Sequence, residues 1–199
     1  MDIQNQKLNE YAERQKMYEL FGYDMQKERG FIIESALPFA GKILEAGTGK
    51  GNFSILLAKK GYKFVSFDIS KTEQDFAKIA MANLGIEGFV DFRIENGENL
   101  SFQNESFDTI FSVNTLHHIN QSSIFIDELS RVVAKNGKII LSDFTDEGFD
   151  MLDKIHESEG DKHEKNNFGL KDAEIYLNNK KFKTSKTTTK FQEVLIAWI

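Results

Sequence analysis

The chain has 199 residues, of which 40% are hydrophobic and 28% charged, and this length and composition predict a single domain with a substantial core. Its formal net charge of -6 disfavours contact with phosphodiester backbones, so we expect no nucleic-acid partner. The chain contains no cysteine, which excludes disulfides, thiolate nucleophiles and cysteine metal ligands.

The first 38 residues are predicted to form an N-terminal helical cap. Spaced apolar residues between positions 5 and 36 indicate one or two amphipathic helices, and the only proline, Pro38, marks a turn before the first strand. The N-terminus is polar, and no apolar run approaches the length of about 18 residues that a membrane span requires. We therefore expect a cytoplasmic protein without a membrane segment.

Short runs rich in β-forming residues alternate with longer helical patterns after the cap. Five strands are predicted, at 42–46, 63–68, 89–94, 107–113 and 137–143. Helices are predicted between them, at 51–60, 70–84 and 121–135. Asn136-Gly137 is interpreted as the stop signal of the last helix. This alternation predicts an α/β fold with a Rossmann-like, doubly wound sheet.

The chain after residue 144 is less regular. A stretch of mixed charge through Asn167 is interpreted as a solvent-exposed loop, and a helix is predicted over 170–179. Two final runs, 182–189 and 191–198, indicate a C-terminal antiparallel hairpin, which brings the sheet to seven mostly parallel strands. We expect one domain made of a cap, a core and a variable C-terminal part, at 1–38, 40–144 and 145–199.

Three glycines, Gly47, Gly49 and Gly51, lie where the first predicted strand gives way to a helix. Glycine allows a positive φ and a close ligand approach, and a helix N-terminus offers unpaired amides. Two acidic residues accompany the loop: Glu45 precedes it, and Asp68 ends the next strand about twenty residues on, where an acidic side chain meets ribose hydroxyls. The pattern predicts a ligand that contains adenosine.

The spacing of the glycines and the residues around them distinguish between the ligands that such a loop could bind. A phosphate-binding loop requires Ser or Thr after Gly-Lys, whereas Lys50 is followed by Gly51. The dinucleotide fingerprint requires its third glycine where this chain has Asn52. Glu45 would attract a cationic amino group and repel a pyrophosphate. These features favour S-adenosylmethionine, and an NAD-dependent oxidoreductase stays open as an alternative.

Four segments together resemble the class I S-adenosylmethionine-dependent methyltransferases. Residues 44–51, LEAGTGKG, resemble the first motif of that family, and 67–70, FDIS, resemble the second. Residues 95–102 resemble the adenine-side loop, and 106–119 resemble the fourth-strand motif. The similarity runs in order over about residues 40–144 and is strongest to the small-molecule branch. It implies S-adenosylmethionine as cofactor and S-adenosylhomocysteine as product.

The resemblance also implies a set of cofactor-binding residues. In chain order these are Glu45, Gly47, Gly49, Gly51, Asp68, Ile69, Asn96, Gly97, Val113 and Asn114. In the family, the first four positions hold the methionine part, the acid after the second strand holds the ribose, and the next three border the adenine. The last two pass close to the sulfonium. The family commonly has Asp where this chain has Asn96, and Asn can both donate and accept.

The acceptor side is less defined by the sequence. Methyl transfer from a sulfonium mainly requires alignment, so few catalytic side chains are needed. His118, at the end of the fourth strand, is our candidate general base, and His117, Tyr11 and Tyr18 are candidate substrate-binding residues. The alternative for each of these residues is a packing role.

Two further histidines raise the possibility of a metal site. If the segment were helical, His156, Glu159 and His163 would share one face at i, i+3 and i+7, a ligand set that suits a divalent metal. Gly160 disfavours a continuous helix, and a solvated loop is the alternative.

The sequence as a whole predicts S-adenosylmethionine-dependent methyl transfer to a small molecule. Amino-group methylation of nucleic-acid bases usually relies on an Asn-Pro-Pro-Tyr or Asp-Pro-Pro-Tyr element, and residues 112–115 are Ser-Val-Asn-Thr instead. A catalytically inactive cofactor-binding module that regulates a partner is a second interpretation. No motif specifies the acceptor atom or the oligomeric state.

Overall fold

The computed structural model describes residue 13, residues 15–39, 41–160 and 165–199, with Glu159 described by its backbone alone. Seven strands lie within these ranges: β1 (Ile43–Ala46), β2 (Phe64–Asp68), β3 (Val90–Ile94), β4 (Phe107–Val113), β5 (Val133–Phe144), β6 (Lys183–Thr188) and β7 (Gln192–Trp198). Six helices with both ends inside the described ranges accompany them: α1 (Met25–Ser35), α2 (Asn52–Lys59), α3 (Lys71–Asn83), α4 (Ser122–Val132), α5 (Asp146–Glu159) and α6 (Leu170–Asn179). Residues 15–20 are also helical.

The strands form one sheet in the order β3-β2-β1-β4-β5-β7-β6. Strands β1 to β5 pair in parallel, and β7 pairs antiparallel with both β5 and β6. The predicted Rossmann-like sheet, its C-terminal hairpin and its helical cap are confirmed. The chain moves outward from β1 to β3 and then returns to place β4 on the other side of β1. Ligands bind at such a reversal, beyond the carboxyl ends of the strands.

Both faces of the sheet are covered, which explains the continuous apolar runs of its central strands. Successive residues of a strand point to opposite faces. Leu44 packs in a cluster with Leu129 of α4, whereas Ile43 packs on the other side with Leu57 of α2. Strand β1 is therefore packed against a helix on each face of the sheet.

Strand β5 begins earlier than the sequence predicts. Helix α4 ends at Val132, and the pairing of β5 with β4 shifts between Phe107 and Thr109, which marks a bulge. Gly137 lies inside this bulged strand, where an added Cβ would come within 2.8 Å of the carbonyl oxygen of Asp108. The expectation that Asn136-Gly137 ends a helix is wrong, because the glycine serves a close approach between strands.

The segment after β5 is helical where a loop was expected. Thr145 begins α5 by accepting a hydrogen bond from the backbone N–H of Gly148 at 3.1 Å. Met151 and Ile155 are buried four residues apart, and Gly160 ends the helix in the left-handed region with a φ of 75°. The many charged residues on the outer face concealed this amphipathic pattern.

The cap packs on the C-terminal end of the sheet through aromatic rings. Tyr23 is fully buried, and its ring lies 5.9 Å from that of Phe144 and 5.8 Å from that of Phe191. Asp24 begins α1 by accepting a hydrogen bond from the backbone N–H of Lys27 at 3.0 Å. None of the helices in the described part of the chain is both long enough and apolar enough to cross a membrane.

Candidate active site

A cavity of about 580 Å³ opens at the carboxyl ends of β1, β2 and β4. This volume lies in the range of small-molecule sites, about 300–1,000 Å³. Ten of the residues assigned from the sequence line it: Glu45, Gly47, Gly49, Asp68, Ile69, Asn96, Gly97, Val113, Asn114 and His118. The fold therefore brings together four segments that are up to about seventy residues apart in the chain.

The glycine loop is fixed to β2 by its own backbone. The N–H groups of Gly47 and Thr48 donate to the carbonyl oxygen of Phe67 at 2.9 and 3.0 Å. Gly47 has a φ of 90°, and a Cβ there would lie 2.3 Å from the side-chain oxygen of Thr115. A side chain at Gly47 would therefore collide with Thr115, and the amide of Gly47 already donates a hydrogen bond within the protein.

Gly51 has a different role from the one that the family resemblance implies. It does not belong to the cavity wall; it precedes α2 with a φ of 83°, and a Cβ there would lie 2.6 Å from the Cβ of Ala77. The third glycine allows α2 and α3 to pack closely. Gly51 offers no side chain to cap the start of α2, and the first two residues of that helix, Asn52 and Phe53, line the cavity.

Asp68 is oriented by two backbone amides. Its Oδ2 accepts from the N–H of Gly49 at 2.7 Å, and its Oδ1 accepts from that of Ser70 at 2.8 Å. A carboxylate offers about four acceptor positions, so two remain for the hydroxyls of a ligand. The neighbouring Ile69 lines the cavity and is 70% exposed, which leaves an apolar surface open to a ring.

The opposite side of the cavity is a narrow aromatic slot. Gly97 is buried, and a Cβ there would lie 2.7 Å from the ring of Phe125. Asn96 is exposed at the rim, and its side-chain oxygen accepts from the N–H of Glu98 at 3.0 Å. Phe67 also belongs to this wall. The two phenylalanine side chains give the cavity an apolar wall on this side.

Glu45 is a buried carboxyl in the cavity wall, only 1% exposed. Burial raises its pKa to about 7, although hydrogen bonds from Ser54 and Ser66 oppose this shift. The charges of Asp68 and Arg29 also reach it, the first raising and the second lowering the pKa. Such a group can gain a negative charge when a cation binds.

Arg29 is a residue of the wall that the sequence analysis missed. Its side chain is 7% exposed, and its Nη1 donates to the hydroxyl of Tyr23 at 2.9 Å. Its Nε is buried and finds no hydrogen-bond partner among the described residues. Arg29 lies three and four positions before Ile32 and Ile33, which are buried. That helical spacing was the signal that could have found it.

Asn114 connects the cavity to the C-terminal hairpin. It follows β4 with a φ of 51°, a left-handed conformation that Asn tolerates better than most residues. Its backbone N–H donates to the carbonyl of Ser142 at 2.8 Å, and its side-chain amide contacts Arg29 and Gln192. Residues held in such conformations cluster at functional sites.

The two histidines after β4 separate into one cavity residue and one buried residue. His118 is exposed and lines the cavity. His117 is 4% exposed and does not belong to the wall; its Nδ1 lies 2.6 Å from Oδ1 of Asp143, and its backbone N–H donates to Oδ2 at 3.3 Å. The structure thus places His118, but not His117, where a substrate could reach it.

Of the two candidate tyrosines of the cap, Tyr18 is the one that the structure describes. Tyr18 packs on Tyr23, with ring centroids 5.3 Å apart, and does not line the cavity. Tyr11 lies outside the described residues. The packing alternative fits Tyr18.

The helical arrangement required by the metal hypothesis is interrupted. His156 lies in the last turn of α5, but the helix ends at Glu159 and Gly160 adopts a φ of 75°. The side chain of Glu159 and the whole of His163 lie outside the described residues. Across the described ranges, no group of three or more His, Asp or Glu side chains could hold a metal ion.

Solved structures share this fold. A SAM-dependent methyltransferase from Aquifex aeolicus gives a TM-score of 0.67 at 17% identity and covers 90% of this chain and 92% of that chain. One from Methanosarcina mazei gives a TM-score of 0.63 at 22% identity and covers 83% of this chain and 95% of that chain. At these identities the likeness establishes the fold alone.

Sequence comparison identifies the family. Residues 44–141 match the methyltransferase domain. The ubiquinone biosynthesis O-methyltransferase of Chelativorans sp. (strain BNC1) is 28% identical over 109 residues, which are 54% of this chain and 42% of that protein. The ubiquinone/menaquinone biosynthesis C-methyltransferase of Vibrio vulnificus (strain YJ016) is 25% identical over 121 residues, 59% and 46%. The chain spans less than half the length of these curated relatives.

The fold and the matched domain agree. Residues 44–141, about half of the chain, carry the match to the methyltransferase domain, and the fold is the one that the S-adenosylmethionine-dependent methyltransferase from Aquifex aeolicus shares. The family resemblance of the sequence is thereby confirmed. An NAD-dependent oxidoreductase is not the family that this chain matches.

Proposed function

We propose that this protein transfers a methyl group from S-adenosylmethionine to a small-molecule acceptor. The observation that carries the proposal is the composition of one cavity wall, which combines a buried carboxyl, a buried guanidinium and an oriented carboxylate in Glu45, Arg29 and Asp68. These three groups are complementary to the amino group, the carboxylate and the ribose of a single ligand.

The amino-acid end of the ligand is assigned to Glu45 and Arg29. A buried charge is costly unless a partner satisfies it. The hydrogen-bond partner of the Arg29 guanidinium, the hydroxyl of Tyr23, is neutral, as is the amide of Asn114 that it contacts. An anionic ligand group would satisfy Arg29, and a cationic one would favour the ionised form of Glu45. An α-amino acid provides both.

The nucleoside end is assigned to the other half of the cavity. Asp68 would accept hydrogen bonds from the ribose hydroxyls with its remaining acceptor positions. The exposed face of Ile69 and the slot beside Gly97 would contact the adenine ring, with Asn96 at its edge. These assignments use residues from β2 and from the loop after β3.

When bound, S-adenosylmethionine supplies an activated methyl group, so the protein itself contributes mainly alignment and exclusion of water. Alignment can lower a barrier by about 7–11 kcal/mol. Asn114 and Val113 would shape the wall beside the reacting centre. His118 would accept a proton from the acceptor, because it lines the cavity and is exposed.

The acceptor is proposed to be a small molecule. The curated relatives include an O-methyltransferase and a C-methyltransferase of quinone biosynthesis, which supports a small acceptor and leaves oxygen and carbon both open. The match covers residues 44–141, whereas the cap, which contributes Arg29 to the cavity wall, and α5 lie outside it.

Binding and transfer are tested on the purified chain. Calorimetry should detect S-adenosylmethionine and S-adenosylhomocysteine but not NADH, and Asp68→Asn should weaken binding about tenfold or more, since hydrogen bonds to a charged group contribute about 1.5–3 kcal/mol. The matched control is Asp91→Asn, whose carboxylate lies on the exposed side of β3 and pairs with Arg93. Labelled methyl groups should pass into a metabolite extract.

Two results would contradict the proposal in different ways. No association with either adenosyl ligand would remove the assigned site altogether. Tight association without transfer to any metabolite would remove the enzymatic part and leave a binding module.

A further inference from the structure

We propose that Ser54 and Ser66 are positioning residues for the reaction: their hydroxyls hold one oxygen of Glu45 so that the carboxylate binds the amino group of S-adenosylmethionine. The inference rests on the proposed function. It concerns residues that no sequence motif identified and that do not themselves line the cavity.

The two serines converge on one atom. The Oγ of Ser54 and the Oγ of Ser66 donate to Oε2 of Glu45, at 2.5 and 2.6 Å. Both serines are fully buried, and they belong to different elements, α2 and β2, on either side of the strand that carries the carboxyl. Within the described residues, no hydrogen bond reaches Oε1 of Glu45. This second oxygen is therefore available to a ligand in the cavity.

The hydrogen-bond chain continues outward and has a defined direction. The Oγ1 of Thr48 lies 2.6 Å from the Oγ of Ser66, and the Nε2 of Gln74 donates to Thr48 at 3.3 Å and to the carbonyl of Arg93 at 2.8 Å. A hydroxyl has one proton, and that of Ser66 goes to Glu45. Thr48 must then donate to Ser66. The hydroxyls of Ser66 and Thr48 and one N–H of Gln74 thus donate toward the carboxylate and stabilise its negative charge.

This support is needed because the site is otherwise unfavourable for a charge. Burial raises the pKa of Glu45 to about 7, and the nearby carboxylate of Asp68 adds to the rise. The two serine hydroxyls and the charge of Arg29 act in the opposite direction. Loss of one hydroxyl would leave more of the carboxyl protonated at neutral pH, and a protonated carboxyl does not attract a cation.

The experiment measures how the affinity for S-adenosylhomocysteine depends on pH. Calorimetric titrations between pH 5.5 and 7.5 stay below the pKa of an α-amino group, about 7.7–8.0, so the amino group of the ligand is mostly protonated. The association constant of the unmodified protein should fall as the pH drops below about 7, the value to which burial raises the pKa of Glu45. In Ser66→Ala and in Ser54→Ala the fall should begin about one pH unit higher, because each variant loses a hydrogen bond to the ionised carboxyl. The association constant of these variants should therefore rise more steeply between pH 7 and 7.5 than that of the unmodified protein.

Ser112→Ala is the matched control variant. Ser112 is a buried serine of the neighbouring strand β4, and its Oγ has no hydrogen-bond partner in the described part of the chain. The association constant of Ser112→Ala for S-adenosylhomocysteine should depend on pH in the same way as that of the unmodified protein. A second control is the ligand 5′-methylthioadenosine, which lacks the amino acid. Its affinity should depend on pH in the same way in every variant and in the unmodified protein.

The outcomes separate the inference from the function on which it rests. A loss of affinity that is equal at every pH in the two serine variants, or an unmodified protein whose affinity is constant from pH 5.5 to 7.5, would overturn the positioning role. Absence of binding by both adenosyl ligands would instead overturn the proposed function.

Discussion

Two ionisable side chains, Arg29 and Glu45, are buried in the wall of the same cavity. The desolvation of each costs several kcal/mol, which internal hydrogen bonds only partly offset. Neither is paired with an oppositely charged group at hydrogen-bond distance in the described residues, and the partners of both are neutral. A zwitterionic ligand would supply the oppositely charged partner that each of these two buried side chains lacks.

Replacement of Arg29 tests whether its guanidinium binds the carboxylate of the ligand. Arg29→Met should weaken S-adenosylhomocysteine binding by about 10- to 100-fold, because a hydrogen bond to a charged group contributes about 1.5–3 kcal/mol. Binding of 5′-methylthioadenosine, which has no carboxylate, should be unchanged. Calorimetry with both ligands makes the comparison.

Arg93→Met provides the matched control, since that guanidinium is 56% exposed and pairs with Asp91 at the surface. It should leave both affinities unchanged. Equal weakening of the two ligands by Arg29→Met would show that Arg29 supports the fold and not the carboxylate.

At the scale of elements, the site depends on how closely α2 packs against α3. The loop after β1 must turn and start α2 within five residues, and the contact between Gly51 and Ala77 fixes the position of that helix start. A Cβ at Gly51 would be both strained, with a φ of 83°, and in collision. The glycine therefore acts through helix packing.

Gly51→Ala should destabilise the protein by about 2–4 kcal/mol, which combines the cost of a left-handed residue with that of overpacking. Gly61→Ala is the matched control, because its φ is 86° and a Cβ there meets nothing within 4 Å. It should cost only the strain, about 1–2 kcal/mol. Urea unfolding measures both, and equal costs would rule out the helix contact.

For the molecule as a whole, the cavity lies where the order of the strands reverses, between β1 and β4. Its wall also includes Arg29 from the cap and His118 from the turn after β4. A ligand there connects the cap, the core and the loop after β3. Binding should therefore stabilise the whole fold and not one element.

We expect S-adenosylhomocysteine at one hundred times its dissociation constant to add about 2.7 kcal/mol of stability. For a chain of this size each kcal/mol raises the Tm by about 2–4 °C, so the expected increase is about 5–11 °C. Thermal unfolding at increasing ligand concentration provides the measurement. NADH at the same concentrations should leave the Tm unchanged, and a Tm independent of S-adenosylhomocysteine would contradict the assignment of the cavity.

The order of strands and helices could be predicted from the sequence, because hydrophobic periodicity is a local property. The positions of Glu45 and Asp68 at the ends of neighbouring strands followed from the same local spacing, and both line the cavity. Helix α5 was missed, since its charged outer face dominated its composition, and β5 was predicted too short, since its first residues pair across a bulge.

The sequence by itself determined the α/β class, the glycine loop and the family, all of which are encoded within short stretches of chain. Only the tertiary structure decided that Arg29 faces the cavity, that Ser54 and Ser66 meet on one oxygen of Glu45, and that β7 lies between β5 and β6. The physical reason is that these contacts join residues far apart in the chain. Their burial and hydrogen bonding exist only after the sheet has formed and its two faces have been covered.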